Sequence, residues 1–264
     1  MAGHFHSLLY SMVKGYGKTY GLIGRVLGHS FSKGYFNQKF ESEHIDATYR
    51  NFEIPEIEDF PSVVATTPSL CGLNVTIPYK EAVIPYLDSL DDDAARIGAV
   101  NVVKVLRGAD GNISGLRGYN SDVVGFTRSI EPLLKPCHKR ALVLGTGGAS
   151  KAVAHGLRKL SVEPTFVSRT AKEGCLTYGD LTEDVMREHL VIVNTTPLGM
   201  YPRVNECPDI PYEKLTDRHL CYDLLYNPDT TLFMKKCASQ GAATKNGLEM
   251  LLLQAFVSWE IWNK

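Results

Sequence analysis

The chain has 264 residues, 44% of them hydrophobic and 22% charged, which excludes a disulfide-stapled miniprotein and a disordered polymer and leaves one large domain or two small ones. Its 28 basic and 29 acidic side chains give a formal net charge of −1, so no global basic field exists to hold a phosphate backbone, and nucleic acid is excluded as the main partner. No run approaches the ~20 apolar residues of a membrane-spanning helix.

The opening segment interrupts its short apolar stretch with His6 and Ser7 and has neither a basic leader nor a small-residue cleavage site, so it reads as no secretory signal. Periodic structure begins near Thr19, and Met12 is a candidate initiator. Strands are expected at residues 20–23, 48–52, 72–77, 101–106 and 113–119, with helices at 33–43, 79–87 and 92–97. The turn from Arg107 to Asn112 carries two glycines and an aspartate between apolar runs, the chemistry of a hairpin, so the first half should hold a mixed sheet with at least one antiparallel pair.

A helical pattern over 121–134 then leads to an apolar strand at 140–145 that ends in a glycine-rich turn. Strands at 164–168, 190–194 and 220–225 alternate with helices at 150–160, 183–188 and 231–239, the rhythm of a dinucleotide-binding fold. The stretch 247–262 is one long helix, apolar over most of its circumference and able to fold back onto the first domain. The expected architecture is α/β in two domains. Residues 1–120 should form a mixed-sheet domain to which 247–264 return, and 121–246 a Rossmann-type dinucleotide-binding domain. Cys71, Cys137, Cys175, Cys207, Cys221 and Cys237 include no C-x-x-C pair, so reduced thiols in the cytoplasm, with no metal site, are the expectation.

Three segments carry chemistry. Val143 to Lys151 presents a strand, a glycine turn and a helix start in the order that aims backbone N–H groups at a pyrophosphate, with Ser150 at the third glycine position of G-x-G-x-x-G. Taken alone, it is equally a tight turn with no ligand. The next strand ends in Ser168, Arg169 and Thr170, where an NAD site carries an acid; a guanidinium and hydroxyls there suit a 2′-phosphate, so the cofactor should be NADP. Arg169 by itself would read as a solvated loop arginine. Ser30 and Ser32 can present two hydroxyls to one anion, and Ser32 can also cap the following helix. Lys80 falls in a first helical turn, where the helix dipole disfavours a cation, which points to a functional reason beside the ordinary one of a surface lysine.

These segments occur in one chain with Gly98-Ala-Val-Asn101, Gly118-Tyr-Asn-Ser-Asp122, Asn194-Thr-Thr-Pro-Leu-Gly199, Tyr222-Asp-Leu-Leu-Tyr-Asn-Pro228 and Asn246-Gly-Leu-Glu-Met-Leu251. In that joint order the chain resembles the shikimate dehydrogenase family from Tyr20 to Ala255. The resemblance implies a reversible NADPH-dependent reduction of 3-dehydroshikimate to shikimate, in chorismate and aromatic amino acid biosynthesis, by a monomer or homodimer. It implies Lys80 and Asp122 as the catalytic pair, Ser30 and Ser32 on the substrate carboxylate, and Asn74, Thr76, Asn101, Tyr226 and Gln254 around the ring. On the cofactor side it implies Gly145, Gly147, Gly148 and Ala149 at the pyrophosphate, Ser168, Arg169 and Thr170 at the 2′-phosphate, and Thr195, Leu198, Gly199, Met200 and Gly247 as further contacts. Against the family pattern, Lys33 stands for a proline, Val26 falls in a G-x-P position, Ser121 replaces a threonine and Ser168 an asparagine. These departures keep a dual quinate/shikimate enzyme open, and a non-catalytic shikimate-binding paralogue is the alternative from another class.

Overall fold

The structure, a computed structural model, describes residues 17–28 and 31–264, and these divide into two compact units. The first takes in residues up to Asp92, Val100–Tyr119 and Ile261–Lys264. In it β1 (Lys18–Gly24), α1 (Phe31–Ser42) and β2 (Ala47–Glu53) form a parallel β-α-β unit. After the short α2 (Phe60–Ala65), β3 (Leu70–Val75) pairs parallel on the other side of β1. Then come α3 (Tyr79–Ala82) and β4 (Ser89–Leu90) and, after α4 (Asp92–Ile97), which from Asp93 onward belongs to the second unit, β5 (Val102–Arg107) and β6 (Ile113–Tyr119). The last two strands are an antiparallel hairpin, as the turn chemistry predicts, and the six-stranded mixed sheet runs β2-β1-β3-β5-β6-β4.

Two of the elements expected in this unit are cut short at a proline. The strand expected over 72–77 runs from Leu70 to Val75 and stops before Pro78, which has no N–H to give a ladder. The helix expected over 79–87 is α3 followed by a separate 3₁₀ turn at Ile84–Tyr86, because Pro85 interrupts the backbone hydrogen bonding. The core of this unit is aromatic: Tyr20, Phe36, Tyr49 and Trp262 pack ring against ring.

The second unit, Asp93–Ala99 with Asn120–Glu260, starts its main body with α5 (Asp122–Ile130) and β7 (Arg140–Leu144). It continues through α6 (Gly148–Lys159), β8 (Glu163–Ser168), β9 (Cys175–Thr177), α7 (Glu183–Glu188) and β10 (Val191–Asn194). Then come β11 (Leu220–Asp223), α8 (Leu232–Ser239), β12 (Ala243–Lys245) and α9 (Leu248–Asn263), whose residues from Ile261 onward belong to the first unit. All its strand pairs are parallel. Counted one to six, the strands lie in the order 6-5-4-1-2-3, the doubly wound arrangement whose switch point falls between β7 and β10.

Both faces of this sheet are covered, which explains why its strands read as unbroken apolar runs. Leu142, Leu144 and Ile192 pack with Met186 of α7 and Phe233 of α8. Ala141, Val143, Val191 and Val193 pack with Phe126 of α5, Val153 of α6 and Met250 of α9. The fold is therefore α/β with a mixed sheet and a Rossmann-type sheet, and the final helix ends in the aromatic core of the first unit, where the Trp262 indole N–H donates to the Val103 carbonyl at 3.1 Å. Among the described residues no helix is long and apolar enough to cross a membrane.

Candidate active site

In the first unit the sequence-predicted substrate residues gather where β1 and β3 end. Asn74 and Asn101 are buried. The Asn101 carbonyl accepts both the Val75 backbone N–H (2.9 Å) and the Asn74 side-chain amide (3.3 Å). Thr76 follows directly, its backbone N–H donating to the Ile23 carbonyl at 2.9 Å and its carbonyl accepting from Tyr79 N–H, also at 2.9 Å. Gly24 is required beside it, since a Cβ there would lie 2.7 Å from Thr76 Cγ2. Ser32 is buried as the second residue of α1. Ser30 lies outside the described residues.

Lys80 is placed by its neighbours. Its carbonyl accepts the Val100 N–H at 2.7 Å, and the buried Tyr79 beside it holds its hydroxyl within hydrogen-bonding distance of the Ile54 (2.8 Å) and Pro55 (2.7 Å) carbonyls. The short helix carrying Lys80 is thus pinned to the segment after β2, and the half-buried ammonium stem is held on a rigid element rather than on a free loop.

Tyr49 of β2 joins this group without any signal in the sequence. Its hydroxyl donates to Asn74 Oδ1 at 2.7 Å. Complete burial pushes the phenol well above its ordinary pKa, against the pull of Ser32, so it stays a neutral donor across the working pH range.

In the second unit Asp122 is buried at the start of α5. Ser121, the residue before it, donates to Gln254 Oε1 (3.4 Å) and lies 3.2 Å from the Ser258 hydroxyl, both on α9. Gly125 lets the two helices approach, because a Cβ there would meet the Met250 carbonyl at 2.7 Å. The residue before Asp122 is thus tied to Gln254.

The glycine turn follows β7. Gly145 has φ +114°, and a Cβ on it would stand 2.7 Å from Thr195 Oγ1. Gly147 precedes α6, and the buried Ser150 donates its hydroxyl to the Gly147 carbonyl at 2.6 Å, so the residue at the third glycine position closes the turn instead of disrupting it. Thr195 answers from the end of β10, donating backbone N–H (3.0 Å) and hydroxyl (2.6 Å) to the Leu144 carbonyl. Ser168 is buried while Arg169 and Thr170 are exposed at the end of β8. Lys172, which no motif marks, donates to Thr146 Oγ1 at 3.1 Å and adds a second cation beside the turn.

The loops after β10 and β11 are built on a buried polar pair. Asn194 donates to Asp223 Oδ1 (3.0 Å) and accepts both the N–H (3.0 Å) and hydroxyl (2.7 Å) of Thr196. Asp223 also accepts from Leu225 N–H (3.1 Å) and the Thr231 hydroxyl (2.6 Å). Burial pushes its carboxyl up to about 6, against those hydrogen bonds. Leu198 and Gly199, the latter at φ +97°, and the half-exposed Met200 follow in the first loop, and Tyr226 lies in the second, its phenol raised by burial. Gly247 packs on that second loop, where a Cβ would strike the Leu224 carbonyl.

A doubly wound parallel sheet with a glycine turn at its switch point, joined in one chain to a mixed-sheet unit carrying a fixed lysine and two buried asparagines, defines a two-unit dinucleotide-dependent oxidoreductase. Residues 22–103 match the family described as shikimate dehydrogenase substrate binding domain. The chain is 38% identical to a shikimate dehydrogenase (NADP(+)) of Methanococcus vannielii, over 92% of this chain and 90% of that one. It is similar to the crystal structure of shikimate dehydrogenase from Aquifex aeolicus, with TM-score 0.81 and 33% identity over 96% of this chain and 94% of that chain. It is likewise similar to shikimate 5-dehydrogenase from Thermus thermophilus in complex with NADP(H) and shikimate, with TM-score 0.79 and 28% identity over 93% of each chain. The chain belongs to the shikimate dehydrogenase family.

Proposed function

We propose that this chain catalyses the reversible NADP(H)-dependent reduction of 3-dehydroshikimate to shikimate, a step in chorismate and aromatic amino acid biosynthesis. The observation that carries the reading is the switch-point glycine turn followed by Arg169, in place of an acid, in a chain of this family. Residues 1–120 with 247–264 are read as the substrate domain and 121–246 as the NADP domain. The active form is taken as a monomer or homodimer in the cytoplasm, where free thiols such as its six cysteines are stable.

The residues fit the cofactor. Gly145, Gly147, Gly148 and Ala149 open space and backbone N–H groups for a pyrophosphate, Ser168, Arg169 and Thr170 suit a 2′-phosphate, and Thr195, Leu198, Gly199, Met200 and Gly247 complete the set. When bound, NADP(H) supplies or takes the hydride.

The chain's own residues do the rest. Lys80 places a positive charge where the ketone oxygen becomes an alkoxide, and its ammonium gives that oxygen a proton. Asp122 accepts a hydrogen bond from the reacting hydroxyl and, in the oxidative direction, favours loss of its proton. Ser30 and Ser32 hold the substrate carboxylate, and Asn74, Thr76, Asn101, Tyr226 and Gln254 bind the ring hydroxyls.

Initial rates followed by nicotinamide absorbance, with shikimate and quinate each against NADP and NAD, test the reading. Turnover with shikimate and NADP, and weak turnover with NAD, is expected. Binding of shikimate without turnover in any combination overturns it.

A further inference from the structure

One phenol is hydrogen-bonded to a group that the proposed reaction assigns to the substrate. Tyr49 is fully enclosed, with its ring stacked on Phe36 at 4.8 Å and 10°. Asn37 of α1 clamps its backbone, accepting from Tyr49 N–H at 2.8 Å and donating to the Tyr49 carbonyl at 2.9 Å. The backbone clamp therefore fixes where the phenol stands.

The hydrogen-bond directions are also fixed. Asn74 gives its amide nitrogen to the Asn101 carbonyl, so its oxygen must face Tyr49, and Tyr49 must spend its single proton on that oxygen. A single hydroxyl thus helps to decide which way the asparagine amide points.

We infer that Tyr49 is a positioning residue for substrate recognition, fixing the Asn74 side chain in the orientation that it offers to a polyhydroxylated ring. This rests on the reading that Asn74 binds the substrate. Loss of the hydroxyl leaves the ring packing in place but takes away the donor to Asn74 Oδ1, one of the contacts that orient the amide.

The test uses the full chain in the NADP-linked assay. Tyr49→Phe should raise KM for shikimate about tenfold while kcat and KM for NADP stay within about twofold. Asn37→Ala, which loosens the clamp but keeps the phenol, should raise KM for shikimate about threefold with the same kcat, and it serves if Tyr49→Phe does not fold. Phe36→Leu removes the stacking partner and leaves the hydroxyl network, so it should lower Tm and leave KM for shikimate unchanged. An unchanged KM in the Tyr49→Phe protein, or in Asn37→Ala where the former does not fold, overturns the inference, as does an equal rise in Phe36→Leu or a loss confined to kcat. A wild-type chain that fails to turn over shikimate overturns the underlying reading, and the inference with it.

Discussion

Asn194 and Asp223 face each other at the last paired positions of β10 and β11, and the Asn194 amide donates to the Asp223 carboxylate at 3.0 Å. Both side chains are fully buried, so this bond ties the ends of two parallel strands at the edge from which the loops carrying Leu198 and Tyr226 leave. Such a carboxylate has a measurable thermodynamic signature.

The folded pKa of Asp223 is raised from 3.8 to about 6, so between those values the native state binds a proton that the unfolded chain does not. Its contribution to stability is complete below about pH 4 and is lost as pH rises through 6, by about 3 kcal/mol in total. In Asp223→Asn this loss should vanish. Urea unfolding of both proteins at intervals from pH 4 to 7.5 measures it: the difference in stability should shift in favour of the variant as pH rises. A constant difference would show that Asp223 titrates normally.

Arg169 is the residue proposed to select NADP. It is exposed at the end of β8, and the desolvation by which a buried guanidinium would be penalised is small there. Arg169→Ala should raise KM for NADP by roughly 10- to 100-fold, through loss of a charge-assisted bidentate contact, and leave KM for shikimate and for NAD nearly unchanged. Equal losses for NADP and NAD would move the 2′-phosphate elsewhere, and Lys172, which reaches Thr146 in the glycine turn, would be the next cation to replace.

How much of this was legible in the sequence follows from the range of each interaction. β7 and β10 could be read because strands buried on both faces are continuous apolar runs, with Ala141 and Val143 in one core and Leu142 and Leu144 in the other. The edge strands β4, β9 and β12 have two or three residues each, too few to display a period of two. The glycine turn and the Ser168–Thr170 segment are local in sequence and could be found as motifs. Tyr49 reads as an ordinary strand aromatic, because its link to Asn74 spans 25 residues and exists only once β2 and β3 flank β1. Asp223 is hidden for the same reason: Asn194, its partner, is 29 residues away.

Lys80 should matter to the rate more than to binding. Its backbone is fixed through Val100 and its neighbour Tyr79, so replacing the side chain alone leaves the segment in place. Lys80→Ala should lower kcat about a thousandfold with KM for shikimate changed by less than about fivefold, the pattern of a charge used mainly in the transition state. A large rise in KM with unchanged kcat would make Lys80 a binding residue only.

The end of the chain carries a share of the stability that its position would not suggest. Trp262 packs on Tyr20 (4.9 Å between ring centres) and Phe36 (5.3 Å), and it fits only because Gly72 has no side chain: a Cβ there would stand 2.3 Å from the indole. Trp262→Ala should destabilise the protein by about 3–5 kcal/mol in urea unfolding, through the cavity and the Val103 carbonyl left without its donor. Gly72→Ala should destabilise by overpacking at the same place. The two sites share one contact, so Gly72→Ala combined with Trp262→Leu should be less harmful than the sum of the single changes. Additive losses would mean that the indole yields without disturbing its neighbours.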